Sequence, residues 1–156
     1  LRQFEHGLDV DDTDRMKSML KDVVYLADNC GEIVFDTLLF DEIRKLGGKI
    51  TLVVRGAPIL NDATMKEVRE LGLDKKVDRV LTTGSNAIGV CLKEAPPELV
   101  EALGDASLII SKGMANYETM SDYDFRPIAY LLKTKCESVA EAMGLRKNMN
   151  VARVEE

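Results

Sequence analysis

The chain repeats one construction four times: a short apolar run typical of a β-strand is followed directly by a polar loop that contains glycine. Because the carboxyl ends of parallel strands lie along one edge of a sheet, we expect the four loops to meet in a single crevice. The loops carry carboxylates, amides, a hydroxyl and an ammonium group, which favour a metal ion and a phosphate over an apolar ligand. The four segments span residues 23–32, 51–62, 79–86 and 108–116.

Helical patterns alternate with these strands. Apolar residues recur near helical spacing after the first strand, Asp62 is the expected N-cap of a second helix, and Pro96 with Pro97 opens a third. A strand over 128–132, a helix over 137–143 and a short strand over 151–154 are expected to follow, and residues 11–21 are expected to form an amphipathic helix at the start. This alternation predicts an α/β fold with a mostly parallel sheet and helices on both faces. The expected helix-ending glycines are Gly47, Gly48, Gly72, Gly104 and Gly144.

The composition bounds the class of protein. The 156 residues, 46% of them hydrophobic, suffice for one domain with a core. A net charge of −6 without a basic stripe argues against a nucleic-acid partner. No apolar run approaches the roughly 20 residues of a membrane span, so no membrane partner is expected. No sequence pattern specifies an oligomeric state.

Three widely spaced cysteines argue against a disulfide framework and against a CxxC metal site. We therefore expect a cytoplasmic protein in which Cys30, Cys91 and Cys136 are small buried fillers. The chain begins at Leu1 rather than at methionine, and we expect it to be part of a longer polypeptide.

The first loop contains two hard oxygen donors, Asp28 and Asn29, a pairing that favours Mg²⁺ or Mn²⁺ over zinc. The backbone N–H groups of Gly31 and Glu32, at the start of a helix, are suited to bind an anion. The alternative is a purely structural role, in which Asp28 or Asn29 caps the helix and Glu32 completes a capping arrangement.

The second loop adds Asp62, a carboxylate one strand away from Asp28 that can bind the same cation, or else serves only as a helix N-cap. Arg55 could clamp a phosphate, but a surface position is the safer expectation. In the third loop, Gly84 and Ser85 could donate hydrogen bonds to phosphate oxygens, although their composition is also that of an ordinary turn.

The fourth loop contains Lys112, whose ammonium could neutralise charge on a phosphoryl group, or which could be an ordinary solvated lysine. Asn116 would donate to the substrate or hold the lysine loop. The only histidine, His6, lies in the poorly patterned start, so a Cys–His pair with Cys30 or a Ser–His–Asp triad is not expected. Dinucleotide and P-loop signatures are absent, and Cys30 stands where a haloacid-dehalogenase phosphatase would have its second aspartate, so Asp28 is expected to be a ligand rather than a nucleophile.

Taken in order, the loop motifs resemble those of the damage-control phosphatases, a family of metal-dependent phosphatases long described as a domain of unknown function, and most closely its archaeal and bacterial branch. The motifs that carry the resemblance are residues 25–36, 54–64, 83–85, 111–118 and 131–136. The resemblance implies a Rossmann-like α/β/α domain over residues 23–156 and, over residues 1–22, a remnant of the family's N-terminal helical region. It also implies hydrolysis of phosphate monoesters of small metabolites, such as sugar phosphates or phosphopantetheine-like compounds.

The resemblance further implies residue roles. Asp28, Asn29 and Asp62 match the family's metal ligands, and Glu32, Lys112 and Asn116 match its active-site and phosphate-contacting positions. The implied cofactor is a divalent cation, with magnesium, manganese, cobalt and nickel all plausible. Two alternatives stay open: a non-catalytic sensor that binds a phosphorylated metabolite and, ranked last because nothing resembles a site for S-adenosylmethionine, a protein carboxyl methyltransferase.

Overall fold

The structure, a computed structural model, describes residues 7–156. One seven-stranded sheet forms its centre, in the order β1-β7-β6-β5-β2-β3-β4. The strands are β1 (Val10–Asp11), β2 (Asp22–Leu26), β3 (Lys49–Val54), β4 (Arg79–Thr82), β5 (Leu108–Lys112), β6 (Ile128–Lys133) and β7 (Asn150–Glu155). The α-helices are α1 (Thr13–Lys17), α2 (Ile33–Lys45), α3 (Met65–Glu70), α4 (Pro97–Asp105), α5 (Gly113–Met120) and α6 (Glu137–Ala142), and a 3₁₀ helix covers Leu73–Lys75.

Five strands, from β4 through β3, β2 and β5 to β6, are parallel to their neighbours. β7 is antiparallel to β6, and the two-residue β1 is parallel to β7. The chain winds from β2 outward through β3 to β4 and then returns to the other side of β2 with β5. The topological switch point therefore lies between β2 and β5, where α/β proteins place their ligands at the carboxyl ends of the strands.

Helices cover both faces of the sheet, because alternate residues of each strand point to opposite faces. Tyr25 of β2 lies in one buried cluster with residues of α1, α2 and α3. Its neighbours Val24 and Leu26 lie in a second cluster with residues of α4, α5 and α6. The predicted three-layer α/β/α fold with a mostly parallel sheet is confirmed.

Several element boundaries differ from the sequence expectation. Asp62 is not the N-cap of α3. The N-cap is Thr64, two residues later, which forms a capping box with Glu67. Gly104 does not end its helix but lies inside α4. The opening helix is shorter than expected at both ends: residues 10–11 form an edge strand before it, and the helix ends at Lys17 rather than at residue 21.

The polar loop that the sequence predicts after the fourth strand is regular structure instead, because β5 runs on to Lys112 and α5 begins directly at Gly113. The three cysteines are partly rather than fully buried, with Cys30 and Cys136 at the margins of the two core clusters. Among residues 7–156, no helix combines the length and the apolar character needed to cross a membrane.

Candidate active site

The junctions that follow β2 and β3 are tied together through their backbones. Asn29 and Asp62 form an isolated antiparallel bridge. The N–H of Cys30 donates to the carbonyl of Asn61 at 2.8 Å, and the N–H of Ala63 donates to the carbonyl of Asp28 at 2.8 Å. Backbone hydrogen bonds therefore bring together the chain segments that carry the three predicted metal ligands, Asp28, Asn29 and Asp62.

The side chains of the first loop bond to one another rather than to the helix. The Asn29 Nδ2 group donates to Asp28 Oδ2 at 2.9 Å, and the Asn61 Nδ2 group donates to Asn29 Oδ1. The N-cap position of α2 is Glu32, which makes no side-chain cap. The alternative of a simple capping role for Asp28 or Asn29 is therefore wrong.

Asp28 lies in a negatively charged surrounding. Burial, followed by the charges of Asp62 and Glu32, raises the pKa of Asp28 above its ordinary value, and the hydrogen bond from Asn29 only partly opposes them. Closely placed carboxylates of this kind are stabilised when a cation joins them.

Asp62 is held by a buried arginine. The Arg55 Nε group donates to Asp62 Oδ2 at 2.7 Å, and Nη1 of the same guanidinium donates to the carbonyl of Gly89. Arg55 is 2% exposed, so the surface position expected for it is wrong. The buried carboxylate explains the difference, since a buried charge needs a partner of opposite sign. The same ion pair explains why Asp62 is not available to cap α3.

Lys112 faces the acidic loop from the neighbouring strand. Its ammonium contacts Glu32 and donates to Asp36 Oδ1 at 2.7 Å. Burial alone would lower the pKa of Lys112, but the charges and hydrogen bonds of Asp36 and Glu32 outweigh burial and raise the pKa above its ordinary value. The lysine is therefore a fixed, protonated group and not a solvated one.

Gly113 allows the Asp28 carboxylate to lie close to the backbone that follows Lys112. Its φ is +76°, and a Cβ at this position would lie 2.1 Å from Asp28 Oδ2. Only glycine combines this left-handed backbone with so close a neighbour. The turn from β5 into α5 therefore places the Asp28 carboxylate directly over the first residue of the helix.

These groups line one cleft of about 800 Å³ at the switch point. Of the nine predicted site residues, five line it: Asp28, Asn29, Glu32, Asp62 and Lys112. Much of the remaining wall is apolar, with Leu39, Leu60, Met114, Leu131 and Val151 among its residues. A small charged ligand with a less polar body fits such a cleft.

The other four predicted residues do not line this cleft. Gly31 is exposed at the start of α2, with open space around its Cα. Gly84 and Ser85 belong to a loop that packs on Gly56, where the Gly56 N–H donates to the Ser85 carbonyl at 3.0 Å. Asn116 is fully buried, and its Nδ2 group donates to the carbonyls of Ala27 and Lys112 at 3.1 and 2.8 Å. Their substrate-binding roles stay predictions. His6 lies outside the described residues.

Two charged residues of the site have contacts that the sequence does not predict: Asp36, for which no role is predicted, and Arg55, which is expected to clamp a phosphate or to lie at the surface. Asp36 had a detectable signal, because it occupies the buried stripe of α2 between Ile33 and Phe40, where an apolar residue is expected. The sequence indicates the burial of Arg55 less clearly, only in that Arg55 directly follows the buried end of β3.

The donor set fits a hard divalent cation. It consists of two carboxylates and one amide oxygen, and within residues 7–156 no hydrogen bond is donated to Oδ1 of Asp28 or of Asp62. In the described part of the chain, no three His, Cys, Asp or Glu side chains are grouped so that they could hold a metal ion. The expected donor set is not a group of that kind, because one of its three members is the amide of Asn29.

Comparison with known proteins identifies the family. Residues 1–151 match the model of the damage-control phosphatase ARMT1-like domain. A damage-control phosphatase of Archaeoglobus fulgidus is 49% identical over 99% of this chain and 54% of its own length. One of Pyrococcus horikoshii is 35% identical over 94% of this chain and 52% of its own length.

A crystal structure of a DUF89 family protein from Pyrococcus horikoshii superposes with a TM-score of 0.90 at 34% identity, covering 96% of this chain and 54% of that one. The chain thus spans about half the length of the curated relatives that it matches. Fold and sequence agree, and the chain belongs to the damage-control phosphatase ARMT1-like domain family.

Proposed function

We propose that this chain carries the hydrolytic centre of a metal-dependent damage-control phosphatase that cleaves phosphate monoesters of small metabolites, such as sugar phosphates or phosphopantetheine-like compounds. The observation that carries the proposal is the backbone bridge between Asn29 and Asp62, which lies in a cleft that Asp28 and Lys112 also line. An acidic donor set facing a fixed cation is what a phosphate-bridging metal requires.

Asp28, Asn29 and Asp62 would hold the divalent cation, for which manganese, magnesium, cobalt and nickel are all candidates. When bound, the cation supplies Lewis acidity toward a phosphate oxygen and toward water. Arg55 keeps the Asp62 carboxylate in one orientation, and Asn29 does the same for Asp28. The metal-binding side chains would therefore be oriented before the cation or the substrate binds. Such preorganisation favours catalysis.

Lys112 would neutralise the charge on the equatorial oxygens of the phosphoryl group. Glu32 would accept a proton from the attacking water; its side chain is 45% exposed and lines the cleft, which supports this role. In the reaction, water forms the new bond to phosphorus and the ester P–O bond breaks. The proton taken by Glu32 returns to the leaving ester oxygen, which gives an alcohol and inorganic phosphate.

Asp28→Asn tests the proposal, because it removes the charge of a ligand and keeps its shape. We expect metal-stimulated release of phosphate from a panel of sugar phosphates to fall about 100-fold or more. Phosphate is measured in the full-length protein with and without EDTA and Mn²⁺. Asp41→Asn, on the exposed side of α2, is the matched control and should keep wild-type activity.

Undiminished turnover in Asp28→Asn would contradict the assignment of the site. A wild-type protein that binds the ester and leaves it intact through prolonged incubation with Mn²⁺ would instead be a sensor.

A further inference from the structure

We propose that Asp36 is a positioning residue of this site: it holds the Lys112 ammonium in place permanently and so leaves Glu32 as the exchangeable partner that a bound phosphate displaces. The inference rests on the proposed function, in which Lys112 meets the phosphoryl group. It assigns a role to a buried carboxylate that the hydrolytic mechanism does not otherwise use.

The position of Asp36 in α2 is unusual for a carboxylate. Ile33, Phe40 and Ile43 are fully buried on the same stripe of the helix, and Asp36 stands among them at 6% exposure. A charged group at a core position is retained only with a partner of opposite sign. Within residues 7–156, Lys112 is the one cation within ion-pair distance of Asp36.

The sheet explains why the two side chains meet. Lys112 ends β5 and shares its face with Leu108 and Ile110, which lie in the cluster beneath α1, α2 and α3. The ammonium therefore extends under the first turn of α2, toward Asp36, and its outer side reaches Glu32 at the edge of the cleft.

The two carboxylates differ in what it costs to release them. The side chain of Asp36 is 7% exposed, and that of Glu32 is 45% exposed. If Glu32 leaves Lys112, water can solvate its carboxylate again, whereas Asp36 would become a buried charge without a partner. A phosphate that enters the cleft therefore competes with Glu32 for the ammonium and leaves the bond to Asp36 intact. The released Glu32 carboxylate is then free for proton transfer.

The binding of inorganic phosphate in the presence of Mg²⁺, measured by calorimetry on the full-length protein, tests this competition without requiring turnover. Glu32→Gln removes the competitor, so we expect phosphate to bind about two- to fivefold more tightly. Asp36→Asn leaves Lys112 paired with Glu32 alone, which strengthens that pair. We therefore expect phosphate binding to weaken about fivefold or more.

The sign of the second effect is diagnostic. If Asp36 were only a background negative charge, Asp36→Asn would tighten phosphate binding, which would overturn the proposal. The double variant Asp36→Asn with Glu32→Gln should recover binding relative to Asp36→Asn, because the strengthened pair no longer exists. Mn²⁺ affinity should stay at the wild-type value in Asp36→Asn, whereas general damage to the structure would lower it.

Where Asp36→Asn does not fold, Glu32→Gln decides the question, and phosphate binding that is unchanged or weaker in that variant overturns the proposal. A wild-type protein that binds no phosphate overturns it as well. The proposed function fails separately, on absent metal-stimulated turnover, so the two failures are distinguishable. Asp41→Asn again serves as the control and should bind phosphate like the wild type.

Discussion

At the scale of single residues, the candidate site depends on a few positions at which a substitution would displace or expose one of its charged side chains. Gly113 is such a position, because its backbone conformation and its distance to the Asp28 carboxylate both exclude a side chain. Arg55 is another: its side chain is 2% exposed and that of Asp62 is 9% exposed, so each charge depends on the other. Removal of either partner would leave a buried charge, at a cost of about 3–5 kcal/mol.

Gly113→Ala is expected to lower the free energy of unfolding by about 1–3 kcal/mol, because alanine is strained at a φ of +76°. The new methyl group would also displace Asp28, so Mn²⁺ affinity should fall by more than the stability loss explains. Urea denaturation and Mn²⁺ titration measure the two effects.

Gly104→Ala is the matched control for that substitution. Gly104 lies within α4, and a Cβ there meets no heavy atom within 4 Å. Alanine should therefore stabilise the protein by about 0.5–1 kcal/mol and leave Mn²⁺ affinity unchanged. Equal losses in the two variants would show that close contact with Asp28 is not what Gly113 avoids.

At the scale of elements, α3 shows that a residue of the candidate site does not also cap a helix. Asp62 bonds to Arg55, and α3 is capped by Thr64, whose hydroxyl accepts from the Lys66 N–H while Glu67 accepts from the Thr64 N–H. Of the two residues between Asp62 and the helix, Ala63 donates its N–H to the Asp28 carbonyl of the first loop, and Thr64 forms a bridge with Arg55. The start of α3 and the candidate metal ligand Asp62 are thus separated along the chain.

Thr64→Ala should lower the free energy of unfolding by about 1 kcal/mol, the usual cost of losing a side-chain N-cap. Thr37→Ala, inside α2, is the control and should be neutral or slightly stabilising, since alanine has the higher helix propensity. Chemical denaturation of both variants measures the difference. An equal effect at the two positions would contradict the capping role of Thr64.

Much of this arrangement follows from sequence patterns, and the exceptions have physical causes. The strands around Tyr25 and Leu52 are apolar runs that end in glycine-containing loops, which suffices to place Asp28, Asp62 and Lys112 at one edge. Local sequence patterns do not show which residue of opposite charge each charged side chain will contact in the fold. Arg55 was expected at the surface because its counter-ion is seven residues away, and Asp36 escaped notice because Lys112 is 76 residues away.

The sequence pattern does not predict helix α5, and the reason is different. Its residues alternate between apolar and polar types without a clear stripe, since Asn116 and Tyr117 are both buried in it. Asn116 supports the backbone of Ala27 and Lys112, so a position that helical periodicity treats as polar surface belongs to the interior. Tertiary hydrogen bonding overrides the pattern there.

At the scale of the whole molecule, the sheet is strongest at its centre. β2 is paired with β3 over residues 22–26 and with β5 over residues 23–26, and Tyr25, Leu52 and Ile110 are completely buried. β1 contributes only two residues at one edge. The switch point, and with it the candidate site, therefore stands on the most stable part of the fold.

Amide hydrogen exchange should show this gradient. Amides of β2 and β5 are expected to exchange only through global unfolding, whereas those of β1 should exchange much faster through local opening. Mass spectrometry of peptides that cover each strand measures the rates. Protection of β1 equal to that of β2 would contradict the assignment of the centre as the most stable region.

The backbone bridge between the two loops that would hold the ion affects how the protein would acquire that ion. Folding itself has already met the entropic cost of assembling the ligands, so arrival of the ion need not order anything. Loading then becomes a matter of mass action, with occupancy set by the free concentration of each cation and by the preference of oxygen donors for hard ions. Within the cell, the ion in use would follow supply rather than a folding event.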